Sequence, residues 1–135
     1  MRKEFLSFSP PALSELEIQS VLEVLKLGTW LSSGPKTKEF EEKFKALVNA
    51  PAALALNSCT AGLHVAMLVH KVGEGDEVIT SPMTFCATAN VVEHVGANVR
   101  FADIDPETLL IDPNEIEKAI SPRTKVPEFL VFRKF

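Results

Sequence analysis

Long apolar runs are missing from this 135-residue chain, and no stretch approaches the length that spans a bilayer as a helix. The start, Met1-Arg2-Lys3-Glu4-Phe5, lacks the apolar core of a signal peptide. A basic excess is missing as well. Fourteen Lys and Arg stand against eighteen Asp and Glu, giving a formal net charge of −4 with no basic cluster. That balance points away from nucleic acid as a main partner and away from a membrane surface. Cysteine is scarce: Cys59 and Cys86 lie far apart without metal-ligand spacing, and both read as small core-lining residues rather than a disulfide. The cytosol is the compartment this implies. Repeats and low-complexity segments are absent, and the single tryptophan, Trp30, falls in a loop.

What is present is an ordinary apolar fraction for one domain with a core. Ser14 and Glu17 have capping-box spacing, Ile18, Val21, Leu22 and Leu25 follow at helical period, and Gly28 ends that helix. Leu31 to Pro35 reads as a loop. A second helix is predicted from about Thr37 to Asn49, with Phe40, Phe44, Leu47 and Val48 on one face. Strand and helix then alternate. Strands are predicted at Ala53–Leu56, Glu77–Thr80 and Val99–Ala102, and helices at Thr60–Val72 and Thr84–Val95, the second carrying Phe85, Val91, Val92 and Val95. Asp112-Pro113-Asn114-Glu115 is a strong helix start, with Ile116, Ala119 and Ile120 facing inward. This alternation predicts an α/β fold with a mostly parallel sheet and helices on both faces.

The chemistry concentrates at Asn57-Ser58-Cys59-Thr60-Ala61-Gly62, a small polar turn between a strand and a helix. Free N–H groups at a helix start converge on one point and favour an anion, phosphate above all. The same residues also suit a plain Ser/Thr helix cap, and neither a P-loop lysine nor dinucleotide spacing is present. Ligands in parallel sheets bind beyond the carboxyl ends of strands, where Asn57–Gly62, Ser81–Phe85 and Asp103–Asp105 all fall. That convergence favours the phosphate reading. Asp103 and Asp105 read as caps of the turn into Pro106-Glu107 rather than as a metal or acid–base pair. His64, His70 and His94 read as partly buried or surface residues, and Cys59 as a small residue of the turn rather than a nucleophile.

Four stretches occur in order: Thr29-Trp30-Leu31-Ser32-Ser33-Gly34-Pro35, Asn57 to His64, Gly73 to Phe85, and Asp103-Ile104-Asp105-Pro106-Glu107-Thr108. Together they resemble the amino-terminal part of the DegT/DnrJ family of pyridoxal-phosphate (PLP) sugar aminotransferases, over about residues 8–125. The resemblance implies a fold-type I transferase: a large domain with a mostly parallel sheet, a smaller carboxyl-terminal domain and a homodimer. It implies a helical segment at 1–50, part of the large domain at 51–125 and a divergent tail at 126–135. Cys59, Thr60 and Ala61 would hold the PLP phosphate, and Phe85 would stack on the pyridine ring, its alternative being a core aromatic. Trp30 and Ser33 would lie near the substrate, with Trp30 equally suited to anchoring its loop by packing. The implied substrates are a keto sugar on a nucleotide carrier and an amino donor such as glutamate.

Two groups that this chemistry needs are not among these residues. The carboxylate that keeps the pyridine nitrogen protonated and the Schiff-base lysine fall downstream in the family. Lys125 and Lys134 do not sit on the lysine-bearing element, so no catalytic residue is assigned. After Thr124-Lys125 the text departs from the family pattern, with Pro127 opening a bulky run from Phe129 to Phe135, as a frameshift or premature stop would produce. The expectation is a chain inactive by itself, with open sheet edges and a tendency to associate. Its alternatives are a remnant or interaction module pairing with a full-length relative, or a small domain for another phosphorylated ligand. Some members of the family dehydrate rather than transaminate, and the residues that separate the two are downstream.

Overall fold

The computed structural model describes residues 9–126, in two compact units, one up to Ala55 and one from Leu56 onward. The first unit holds α1 (Glu15–Leu27) and α2 (Pro35–Leu47). Ser14 and Glu17 do form the capping box at the head of α1, with the Ser14 N–H donating to Glu17 Oε2 at 2.6 Å. Gly28 ends the helix at φ 62°, the left-handed conformation that glycine adopts without a Cβ penalty. Helix α2 begins two residues earlier than the spacing predicts. Pro35 is its first residue and Gly34 its cap, because proline's fixed φ and missing N–H cost nothing at that position. A Cβ on Gly34 would lie 2.7 Å from Trp30 Cβ, so only glycine fits under the tryptophan. The helix also stops early, at Leu47. Asn49 takes φ 51° and the Ala50 N–H reaches back to the Lys45 carbonyl at 3.0 Å, a Schellman-type end.

The second unit holds α3 (Cys59–Val69), β1 (Glu77–Thr80), α4 (Ala87–His94), β2 (Asn98–Phe101), α5 (Pro113–Ala119) and β3 (Thr124–Val126). The three strands are parallel in the order β2-β1-β3, with Glu77 opposite Asn98 and Thr80 opposite Phe101. All of β1 is buried, as a central parallel strand covered on both faces should be. Its side chains alternate between two cores. Val78 joins Met67, Val72, Val91, Val92 and Ala97 under α3 and α4. Ile79 joins Ala102 and Ala119, with Ile111 and Ile116 of the α5 side packed against them. Helices therefore cover both faces, as expected.

At the amino end of β1 a buried carboxylate ties the sheet together. Glu77, 3% exposed, accepts from Ser121 Oγ at 2.5 Å and from Arg123 Nε at 2.9 Å, with Arg100 Nη1 at 3.4 Å. Beside it, Lys125 Nζ donates to Asp76 Oδ2 at 2.9 Å and to the Lys71 carbonyl at 2.6 Å. Gly75, at φ 86°, supplies the left-handed residue of the turn before β1.

Several sequence expectations are corrected. Ala53–Leu56 is not a strand: it is extended, with Ala53 and Ala55 half-buried and Leu54 and Leu56 exposed, and no strand pairs with it among the described residues. The period of two is present, but a strand needs a neighbour. Helix α3 ends at Val69 rather than Val72, closed by Lys71 at φ 54° and a Val72 N–H bond to the Met67 carbonyl at 3.0 Å. Helix α4 starts at Ala87, so Phe85 lies before it rather than on its face. Ile120 points outward at the end of α5, and Cys59 and Cys86 are exposed free thiols rather than core-lining residues. Ile104 and Ile111 pair in an isolated antiparallel bridge that the sequence pattern did not suggest. Phe129–Phe135, read as a strand-like run, lies outside the described residues.

Candidate functional site

The head of α3 is built by Ser58. Its backbone is extended, and its hydroxyl accepts from the Ala61 N–H at 3.1 Å while donating to Asn57 Oδ1 at 3.3 Å. The Gly62 N–H makes the first intrahelical bond, to the Ser58 carbonyl at 3.2 Å. The cap is therefore formed, and it takes one of the donors an anion would use. Ala61, expected to face a phosphate through its N–H, has that group engaged by Ser58. The N–H groups of Cys59 and Thr60 precede the first intrahelical bond and stay free of the cap. With the Thr60 hydroxyl they form a small donor set on an exposed first turn, at the positive end of an 11-residue helix.

Phe85 is 77% exposed and belongs to no core among the described residues. The turn that presents it is held from below. Ser81 Oγ accepts from the Met83 N–H at 3.0 Å, and the Phe85 carbonyl accepts from the Thr88 N–H at 3.0 Å. Thr88, 2% exposed, pairs its hydroxyl with Thr84 Oγ1 at 3.0 Å. The turn, fixed by a buried threonine, thus presents a large ring to solvent. Thr84 and Thr88 escaped the sequence reading because their spacing of four suggests only one turn of helix.

Cys59, Thr60, Ala61 and Phe85 all belong to the second unit, in which α3 and α4 pack on one another. Trp30 and Ser33 belong to the first unit, Trp30 62% exposed and Ser33 exposed in the bend before α2. Beside that bend an open groove of about 350 Å³ is lined by Ser20, Val21, Val24, Leu25, Leu31 and Lys36. Lys36 is already paired with Glu23 at 3.4 Å, so the groove offers little to a polar ligand.

The acidic pair does what caps do. Asp105 Oδ1 accepts from the Glu107 and Thr108 N–H groups at 2.8 and 2.9 Å, and those bonds, Thr108's first, hold its carboxyl below the usual range. Asp103 Oδ1 accepts from the Ile104 N–H at 2.7 Å. No cluster of three or more His, Cys, Asp or Glu suited to a metal occurs among the described residues. No helix there is long and apolar enough to cross a membrane.

Residues 11–127 match the DegT/DnrJ/EryC1/StrS aminotransferase family. The chain is 53% identical over 124 residues to the spore coat polysaccharide biosynthesis protein SpsC of Bacillus subtilis, covering 92% of this chain and 32% of that protein. An uncharacterized protein of Methanocaldococcus jannaschii, MJ1066, is 46% identical over 125 residues, 93% of this chain and 32% of the relative. Among solved structures, the PLP form of the putative sugar aminotransferase Spr1654 of Streptococcus pneumoniae superposes with a TM-score of 0.83 at 40% identity, over 88% of this chain and 30% of that one. The chain spans about a third of the length of these relatives.

Proposed function

Because the chain belongs to the DegT/DnrJ/EryC1/StrS aminotransferase family, we propose that it carries the phosphate- and ring-binding part of a PLP-dependent sugar aminotransferase. The observation that carries this reading is the pairing of two features in one unit: free N–H groups at the head of α3, and an exposed Phe85 on a braced turn. The residues fit the group. Cys59 and Thr60 N–H, with the Thr60 hydroxyl, suit a phosphate dianion, which gains up to ~2 kcal/mol at a helix start in partly buried geometry. Ala61 contributes through its small size, since its N–H serves Ser58. Phe85 covers one face of the pyridine ring. Bound PLP supplies an electron-accepting ring through which an amino group passes from a donor to a keto sugar.

The substrates under this reading are a keto sugar on a nucleotide carrier and an amino donor such as glutamate, in a cytoplasmic homodimer. The polysaccharide role in the name of the Bacillus relative and the sugar named for the Streptococcus structure support a sugar substrate. Trp30 and Ser33 would contact it. These 135 residues turn nothing over by themselves. Lys125 is held at the amino end of β1 by Asp76 and the Lys71 carbonyl, whereas Phe85 follows the carboxyl end of that strand. Calorimetric titration with PLP tests the reading. Weak, saturable binding is expected, competed by inorganic phosphate and lowered about tenfold by Thr60→Val or Phe85→Ala. Affinity equal to the parent's in both variants, or indifference to phosphate, would sink it.

A second reading rests on a different observation. Neither α1 nor α2 buries a single residue, and Leu16, Leu25, Phe40, Phe44 and Leu47 stand exposed along them. Such faces fit a chain that docks on the remaining two-thirds of an aminotransferase polypeptide. Sedimentation of the chain with and without a full-length relative distinguishes this from an independent domain.

A further inference from the structure

Away from the candidate site, the fold brings together two metal-ligating side chains that lie far apart in sequence. His64 sits in α3 and His94 ends α4, with ring centroids 6.1 Å apart and ring planes inclined by 44°. The spacing is set by two helices packed directly on one another, over a core of Met67, Val91 and Val92, rather than by loops. His64 is half-buried and His94 exposed, so solvent and solutes reach the pair.

We propose that His64 and His94 form a two-imidazole site for a divalent transition ion, with water completing the coordination. Imidazole nitrogen binds such ions at about 2.0–2.1 Å, which places the centroids of two rings on adjacent positions of one ion about 4.5–5 Å apart. The observed 6.1 Å is about 1 Å longer, so binding requires the exposed His94 side chain to swing toward His64. No third His, Cys, Asp or Glu completes a cluster with them among the described residues, so the site is open-sided. Two nitrogen donors select Ni²⁺, Cu²⁺ or Zn²⁺ over Mg²⁺ and Ca²⁺, which prefer oxygen. An ion held between α3 and α4 binds the folded pair more tightly than the unfolded chain, so it also stabilises the unit.

Ni²⁺ is the probe. When chelated by nitrilotriacetate it keeps two adjacent positions open, which two neighbouring imidazoles fill and an isolated one does not. The untagged chain, with its exposed Cys59 and Cys86 alkylated to remove thiol ligands, is applied to such a resin at pH 8. Retention is expected, and His64→Asn or His94→Asn should each weaken Ni²⁺ binding in calorimetry by about tenfold or more. His70→Asn, at the carboxyl end of α3, should change nothing. Added Ni²⁺ should raise the thermal midpoint of the parent and not that of the His94 variant. Absence of retention, or equal affinity in the parent and the His94 variant, overturns the site. Should His64→Asn fail to fold, the exposed His94 position decides alone.

Discussion

At the residue scale, Glu77 makes the clearest physical commitment of the chain. A carboxylate 3% exposed is costly unless bonded, and here Ser121, Arg123 and Arg100 bond it. The Ser121 hydroxyl, then Arg123 and Arg100, hold its carboxyl below the ordinary 4.5, against burial, which acts the other way. The sign follows from the unfolded chain, in which Glu77 titrates at its ordinary value. Because the folded group binds its proton less readily, its contribution is complete above about 4.5 and is lost as pH falls through the depressed folded value. Urea midpoints measured from pH 7 down to pH 3 should therefore fall below the ordinary carboxylate range, and Glu77→Gln should lower the neutral-pH midpoint while flattening that fall. A Gln variant with the parent's acid profile would show that other carboxylates govern it, Asp76 with Lys125 being the next candidate.

At the element scale, the head of α3 carries both stability and binding, and the two can be separated. Ser58→Ala removes the acceptor for the Ala61 N–H and should cost about 1 kcal/mol in chemical denaturation. The same change frees a third N–H at the helix start, so PLP affinity measured under folded conditions should hold or rise. A fall in affinity matching that of Thr60→Val would mean that the Ser58 hydroxyl itself contacts the ligand. Much of this scale was legible beforehand: the Ser14 and Asp112 caps, the buried run Glu77–Thr80, and helices on both sheet faces follow from local pattern. What was not legible depends on neighbours. Ala53–Leu56 has the alternation of a strand and no partner to pair with among the described residues. Phe85 reads as one more apolar residue of a helix until the Thr84–Thr88 pair shows where that helix begins. The closeness of His64 and His94 depends on how two helices pack, which no spacing along the chain encodes.

At the scale of the whole molecule, the exposed apolar faces dominate. Leu16, Leu25, Phe44, Leu47, Leu54 and Leu68 all present large side chains to water, more than a solitary small domain ordinarily leaves uncovered. Sedimentation velocity over rising concentration should show self-association of the isolated chain. A monodisperse monomer with a single cooperative melt at all concentrations would remove that expectation and the docking reading together.

The Glu77 clamp has a consequence in time as well as in energy. Its partner Arg123 lies 46 residues further along the chain. At a synthesis rate of about 5–20 residues per second, that gap is about 2–9 seconds of translation. Throughout that interval β1 can pair with β2 but not with β3, and Glu77 has Arg100 as a partner but neither Ser121 nor Arg123. The β3 side of β1 therefore stays open for those seconds, and the full set of bonds to Glu77 closes only when Ser121 and Arg123 arrive.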